Sequence, residues 1–221
     1  MSTGSPDGAV QAPSTFSRGG FVARALAAAG ALSGLTAAFE RAGLASAAAA
    51  GSDLTLDTLN GLAAFVVPGR DDYSSAQGQS TTEPGGVEAF AGVALVQGLD
   101  FALPGLSANA AALLNNAALL VRSDSGVGQF ASPFANLAFA EKAAAFALLE
   151  GHPAFAPFRS FVGTLPGLAA YLSYSEVGVF DPASRTITAR PIGWQLSSYD
   201  GVADGRDEFV GYLENRRRAD A

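Results

Sequence analysis

The chain has 221 residues, 49% of them hydrophobic, and a formal net charge of −7. That composition suits a globular domain with a sizeable core, and the acidic balance excludes nucleic acid and anionic membrane surfaces as electrostatic partners. The sequence has no cysteine, one histidine and one lysine, which excludes disulfides, thiolate metal sites, cysteine nucleophiles and multi-histidine metal sites within one chain.

The N-terminal residues have the three parts of a secretory signal. Ser17, Arg18 and Arg24 give a polar, basic start, and Ala25 to Ala38 is an apolar run of 14 residues. The small residues around Ala45 and Ala47 then offer an A-x-A cleavage region. A membrane span needs about 20 apolar residues, so the run is too short to be one. The segment resembles a twin-arginine export signal, Ser-Arg-Arg-x-Phe-Leu. Ser17, Arg18, Phe21 and Val22 match, and Gly19 stands where the second arginine belongs. Residues 1–50 are therefore expected to be an export segment, and residues 51–221 one helical domain. The competing reading of residues 1–50 is an Ala-rich tail with no targeting value.

The remaining residues read as mainly α: five or six helices and a short extended or hairpin C-terminal arm. Ser52 or Asp53 can cap a first helix, with Leu59, Leu62, Ala63 and Val66 on one face and Pro68-Gly69 as its stop. A polar loop is expected from Arg70 to Glu83. A second helix is expected from Pro84 to about Leu103, then a break at Pro104-Gly105. Ser107 can cap a third helix carrying Ala110, Leu113, Leu114, Ala117 and Val121. A fourth, about Ala138 to Glu150, is expected to bury Phe139, Ala143, Phe146 and Leu149. A fifth starts near Ala154, with Phe155, Phe158, Phe161, Val162 and Leu165 on one side, and Pro166 kinks it or starts a sixth piece. β-branched residues alternate with polar ones in Val177–Pro182 and Arg185–Trp194, which suggests the hairpin or arm. A last helix is expected from about Arg206 to Arg217, with Phe209, Tyr212 and Leu213 inward.

Catalytic signatures are missing from this pattern. There is no G-x-S-x-G elbow, no G-x-G-x-x-G and no phosphate loop. His152 lies in the helix-stop sequence Glu150-Gly151-His152-Pro153 and reads as a loop residue. Glu83, Glu88, Asp200 and Asp204 are the candidates for a carboxylate pair in a hydrolase. Asp200, Asp204, Asp207 and Glu208 could meet a hard cation, but their spacing is not that of an EF-hand loop, and Asp207 and Glu208 also suit a helix start. A third reading is an envelope protein holding a small apolar ligand between its helices.

Three stretches carry a family resemblance. The first is the helix Leu59 to Gly69, ending on Pro-Gly. The second is Phe134-Ala135-Asn136-Leu137 leading to Glu141-Lys142. The third is Tyr174-Ser175-Glu176-Val177-Gly178, followed by Gly193-Trp194 and Tyr199-Asp200-Gly201. On these the chain resembles the gluconate 2-dehydrogenase subunit 3 family, in particular an actinobacterial branch of exported members, over Leu54 to Arg216. The resemblance implies a small, exported, non-catalytic accessory subunit without cofactor, catalytic residue or metal of its own. It implies a large partner, a flavin-dependent dehydrogenase of the glucose-methanol-choline type that carries the FAD, and a cytochrome subunit as a further partner. Trp194, Gly193, Tyr199, Asp200 and Gly201 are the expected partner-binding residues, since aromatics are enriched in interface hot spots. The competing reading of Trp194 is that it packs the tail onto its own helices.

Overall fold

Among the described residues the fold is arranged around the helix α1 (Ser52–Val66). In the computed structural model of the chain, the described residues are Ala38 and 52–199, apart from Pro182 and Arg185. Thr58, Leu59, Leu62, Ala63 and Ala64 of α1 are all fully buried, so the apolar stripe has become a helix covered on most sides. α1 packs against α2 (Asp72–Ala76), α3 (Ala91–Ala102), α4 (Leu106–Val121) and α6 (Arg159–Ser173). α5 (Phe139–Gly151) lies on α4 and α6, and a 3-10 turn, Pro153–Phe158, links it to α6. A two-residue hairpin, β1 (Phe180–Asp181) and β2 (Thr186–Ile187), and a short helix α7 (Ile192–Leu196) complete the described residues. The architecture is mainly α with a hairpin arm, as expected.

Among the described residues there are seven α-helices, two of which, α2 and α7, are short insertions in segments read as irregular. α2 is set by Asp71, whose carboxylate accepts from Ser74 N at 2.8 Å and from Ser74 Oγ at 2.7 Å. The Ser74 hydroxyl oxygen in turn accepts from Gly69 N, so the end of α1 and the start of α2 share one capping unit.

The second expected helix does not begin at Pro84. Gly86 N donates to Val67 O at 2.8 Å, which holds residues 84–90 against the end of α1 as turns. Phe90, at φ 62°, sits in the left-handed region, and only after it does α3 start. Ser107 is not the cap of α4: Gly105 holds that position. Ser107 instead donates its N–H and its hydroxyl to Asp100, at 2.9 and 2.8 Å, locking the α3–α4 corner. Pro166 lies inside α6 and neither ends the helix nor starts a new one. Among the described residues no single helix is long and apolar enough to cross a membrane, and the apolar pair α3 and α4 is bent by 120°.

α5 presents a different face from the one expected. Lys142, Ala145, Phe146 and Leu149 are buried, whereas Ala143 is exposed and Phe139 is 37% exposed. The face has rotated to place the single lysine inward. Phe139 still touches Phe65 across the edge of the core, with ring centroids 5.0 Å apart.

A buried polar ring ties α1, α4 and the loop before α5. Asn115 Nδ2 donates to Thr58 Oγ1, Thr58 Oγ1 to Ser132 Oγ, and Ser132 Oγ to Asn115 Oδ1, at 3.0, 3.0 and 2.8 Å. Asn115 Oδ1 also accepts from Phe134 N. Buried polar groups are tolerable only when paired in this way. The ring seats Phe134, Ala135 and Leu137, all fully buried, from the second stretch of the resemblance. Ala38 is also in the core, 7% exposed and in the same apolar cluster as Leu59 and Leu114.

Candidate partner-docking surface

The arm begins where α6 ends. Tyr174 N and Ser175 N donate to Ala170 O and Leu172 O, closing the last turn. Residues 176–179 turn the chain into the hairpin, in which Phe180 pairs with Ile187 and Asp181 with Thr186. Asp181 accepts from Ala183 N, Ser184 N and Ser184 Oγ. The Ser184 hydroxyl, followed by the backbone donors, holds its carboxyl below the usual range.

Two glycines fasten this arm to the bundle. Gly178, at φ +84°, is in a region that L side chains rarely adopt. A Cβ there would also meet the Phe90 ring at 2.5 Å, so the left-handed turn at Phe90 and the glycine fit each other. Gly193, buried in α7, rests on the backbone at the end of α6: a Cβ would lie 2.5 Å from the Tyr174 carbonyl carbon and 2.7 Å from Ser175 O.

Trp194 follows directly. It belongs to α7 and not to an irregular tail, and is half-buried. Its ring meets Tyr199 edge to face, with centroids 5.1 Å apart and planes at 86°. Tyr199 N donates to Trp194 O at 2.8 Å, and Arg190 Nη2 donates to Tyr199 O. The arm therefore brings Gly193, Trp194 and Tyr199 together. Asp200 and Gly201, expected beside them, lie outside the described residues, as do Ser17, Arg18, Phe21, Ala45, Ala47, Asp204, Asp207, Glu208 and the last expected helix.

The arm and its anchor points expose apolar and aromatic side chains. Phe90, Tyr174 and Phe180 are each 49% exposed, and Ile187 and Tyr199 each 41%. Aromatic side chains bury large areas at low conformational cost, which is why they anchor interfaces.

The chemistry-bearing groups elsewhere are engaged inside the fold. Lys142 Nζ is fully buried and donates to Gln77 Oε1 at 2.8 Å and to Gly61 O at 3.1 Å, 5.5 Å from the Phe134 ring centre. Burial pushes its pKa down to about 7, with Asp71 acting weakly in the other direction. Gln77 Nε2 donates to Ala64 O, so the amide joins the lysine to α1 from both ends. Tyr73 donates to Asp57 at 2.7 Å and stacks on Phe130, and burial, then that carboxylate, pushes its pKa up to about 12. Lys142 was read from the sequence only as part of the second stretch of the resemblance; its burial and its tie to Gln77 were not foreseen.

Glu88, one of the carboxylates considered for hydrolysis, accepts from Gly85 N and Arg70 N and serves the turn before α3. Exposed Glu83 lies in the same segment. His152 is exposed and accepts from Ala154 N through Nδ1, a turn role as expected. Among the described residues no group of three or more His, Cys, Asp or Glu could hold a metal ion. A groove of about 160 Å³ between α1 and α4 is lined by Leu54, Thr55, Ala108, Ala111, Ala112, Asn115 and Asn116. That is small beside the roughly 300–1,000 Å³ of ordinary ligand pockets. In comparisons with known proteins, the chain matches no family model, no curated protein and no solved structure.

Proposed function

We propose that this chain is an exported, non-catalytic accessory subunit. It binds and stabilises a flavin-dependent dehydrogenase of the glucose-methanol-choline type and helps to export it, with FAD in the large subunit and a cytochrome subunit as a further partner. The observation that carries the reading is the arm, where the Trp194 and Tyr199 rings meet edge to face and Tyr199 N donates to Trp194 O, and where Tyr174 and Phe180, together with Phe90 at the Gly178 anchor, are exposed. A surface fixed in place before binding loses little conformational freedom on binding, so its aromatic area converts efficiently into affinity. The choice of partner rests on the resemblance of the Gly193-Trp194 and Tyr199 segment to the subunit 3 family. A folded flavoprotein needs an export route for folded cargo, and a twin-arginine-like segment on the small subunit would provide one.

The test is a pull-down of the tagged full-length chain from its native envelope fraction, with an absorbance scan of the eluate. A large flavoprotein with a flavin spectrum is expected. Trp194→Ala should weaken capture by roughly tenfold or more, as for an interface hot spot, while leaving helix content unchanged. A colourless chain recovered alone would overturn the subunit reading.

A further inference from the structure

Lys142 is fully buried, yet no carboxylate among the described residues lies within ion-pair distance of its Nζ. Two neutral oxygens receive it, Gly61 O of α1 and Gln77 Oε1. An uncharged amine has two N–H donors and these acceptors match them, whereas an ammonium has three. The elements packed on α5 bring no counter-charge. α4 has no ionisable side chain between Leu106 and Val121, and Arg122 beyond it pairs with Glu141 of α5. On α6, Arg159 donates to Gly151 O, and Tyr171 is exposed, as are Glu150 and His152 at the end of α5. On α1, Asp53 is exposed and Asp57 receives Tyr73 Oη and Ala131 N. Asp71, bonded to Ser74, acts on the amine only weakly.

Gln77 belongs to the segment from Arg70 to Glu83, which contains α2. Only Ser74 and Gln77 of this segment are buried, so no aliphatic side chain fastens it to the core. Half-buried Tyr73 stacks on Phe130. Gln77 makes three of the ties: its amide donates to Ala64 O and accepts from Lys142, and its carbonyl accepts from Phe139 N. A segment held by polar contacts opens at a lower free energy than the apolar core beneath it.

We propose that residues 70–83 form an acid-opened strap over α1, shut while Gln77 rests on an uncharged Lys142 amine and released when that amine takes up a proton. The sign follows from burial. In the closed form burial lowers the pKa of Lys142 to about 7. With the strap lifted, water reaches the amine and its ordinary value of 10.5 returns. Protons therefore favour the open form, increasingly as pH falls from about 10 to about 7. Below about 7 the gain levels off, because both forms are then charged. Between about pH 8.5 and about pH 6 the opening equilibrium rises roughly thirtyfold. This inference does not depend on the partner reading.

Amide hydrogen exchange of the full-length chain, corrected for the pH dependence of intrinsic exchange, tests it. The amides of Ser75, Gln77, Gln79 and Thr81 are bonded within the strap or to Gly69. A released helix of five residues does not hold such bonds alone. These amides should be at least about tenfold less protected than those of α4 at every pH, as for a local opening. Their opening should also rise roughly thirtyfold over the stated interval. Lys142→Met should remove that rise. Gln77→Glu, which gives the amine a counter-charge and keeps the acceptor, should cut it to less than about threefold, and it serves as the test if the methionine chain does not fold. A strap as well protected as α4 would overturn the proposal, since the lysine would then be charged only on global unfolding. A strap that opens equally at both pH values, or that keeps the full rise in either variant, would also overturn it.

Discussion

Gly193→Val is expected to detach the arm while leaving the helical core folded. The new Cβ would lie 2.5 Å from the Tyr174 carbonyl carbon and 2.7 Å from Ser175 O. Both are backbone atoms at the end of α6 and cannot rotate aside as a side chain could, so α7 must lift off. Forced overpacking of this kind costs about 1–3 kcal/mol, and here it falls on one short helix. The core from α1 to α6 does not contain residue 193, so overall helix content should hardly change. Limited proteolysis checks this: the variant should be cut between Ser173 and Tyr199 well before the wild type. Because Trp194 and Tyr199 would lose their fixed placement, capture of the proposed flavoprotein partner should fall with it. Equal protease resistance in the two proteins would show that Gly193 does not fasten the arm.

Lys142→Met is expected to flatten the dependence of stability on pH between about 7 and 10. The lysine has a pKa of about 7 in the folded chain and 10.5 as the unperturbed value. Across that window the unfolded chain binds the extra proton and the folded chain does not, so wild-type stability rises with pH. The penalty of the buried charge is fully present below pH 7 and is relieved towards 10.5. A shift of this size corresponds to about 3 kcal/mol over the window. Tyr73 acts with the opposite sign at higher pH. Its pKa is raised from 10.0 to about 12, so the folded chain retains a proton there that the unfolded chain has lost, and stability falls as pH rises above 10. Denaturant titrations at a series of pH values should therefore give a maximum near pH 10 for the wild type and a flatter curve for the methionine variant. The variant also leaves Gly61 O and Gln77 Oε1 without this donor, at a cost of about 1–3 kcal/mol for each buried acceptor. A pH profile unaltered by the substitution would mean that Lys142 titrates normally.

The helices were legible wherever local signals decide the structure. α1 runs to the residue before Val67-Pro68, and its Leu59, Leu62 and Ala63 stripe is buried as the spacing predicts. The rest depended on bonds between residues distant in sequence. Lys142 faces inward because acceptors 65 and 81 residues away receive its amine. No periodicity within α5 contains that information, so the expected face included Ala143 and omitted the lysine. The delayed start of α3 has a similar cause, since Gly86 N answers a carbonyl at the end of α1 rather than one within its own segment. α2 did have a local signal, the Asp71-to-Ser74 spacing of a capping residue, which was lost in the polar composition around it. At the arm, the Gly193-Trp194 pair was visible as an anomaly of composition. The reason for its glycine, the close approach to Tyr174, becomes visible only when α6 and α7 are placed together.

The chain's one tryptophan is in α7, edge-on to Tyr199 and beyond the six helices that form the bundle. Its emission therefore reports a single region, and far-ultraviolet circular dichroism reports the bundle. The protein carries two optical channels that divide the molecule between them without any label. If the two signals are lost together on heating, arm and bundle are one cooperative unit. If the fluorescence changes first, the arm opens while the helices stay folded, and the free energy of that opening can be read directly from the native sequence.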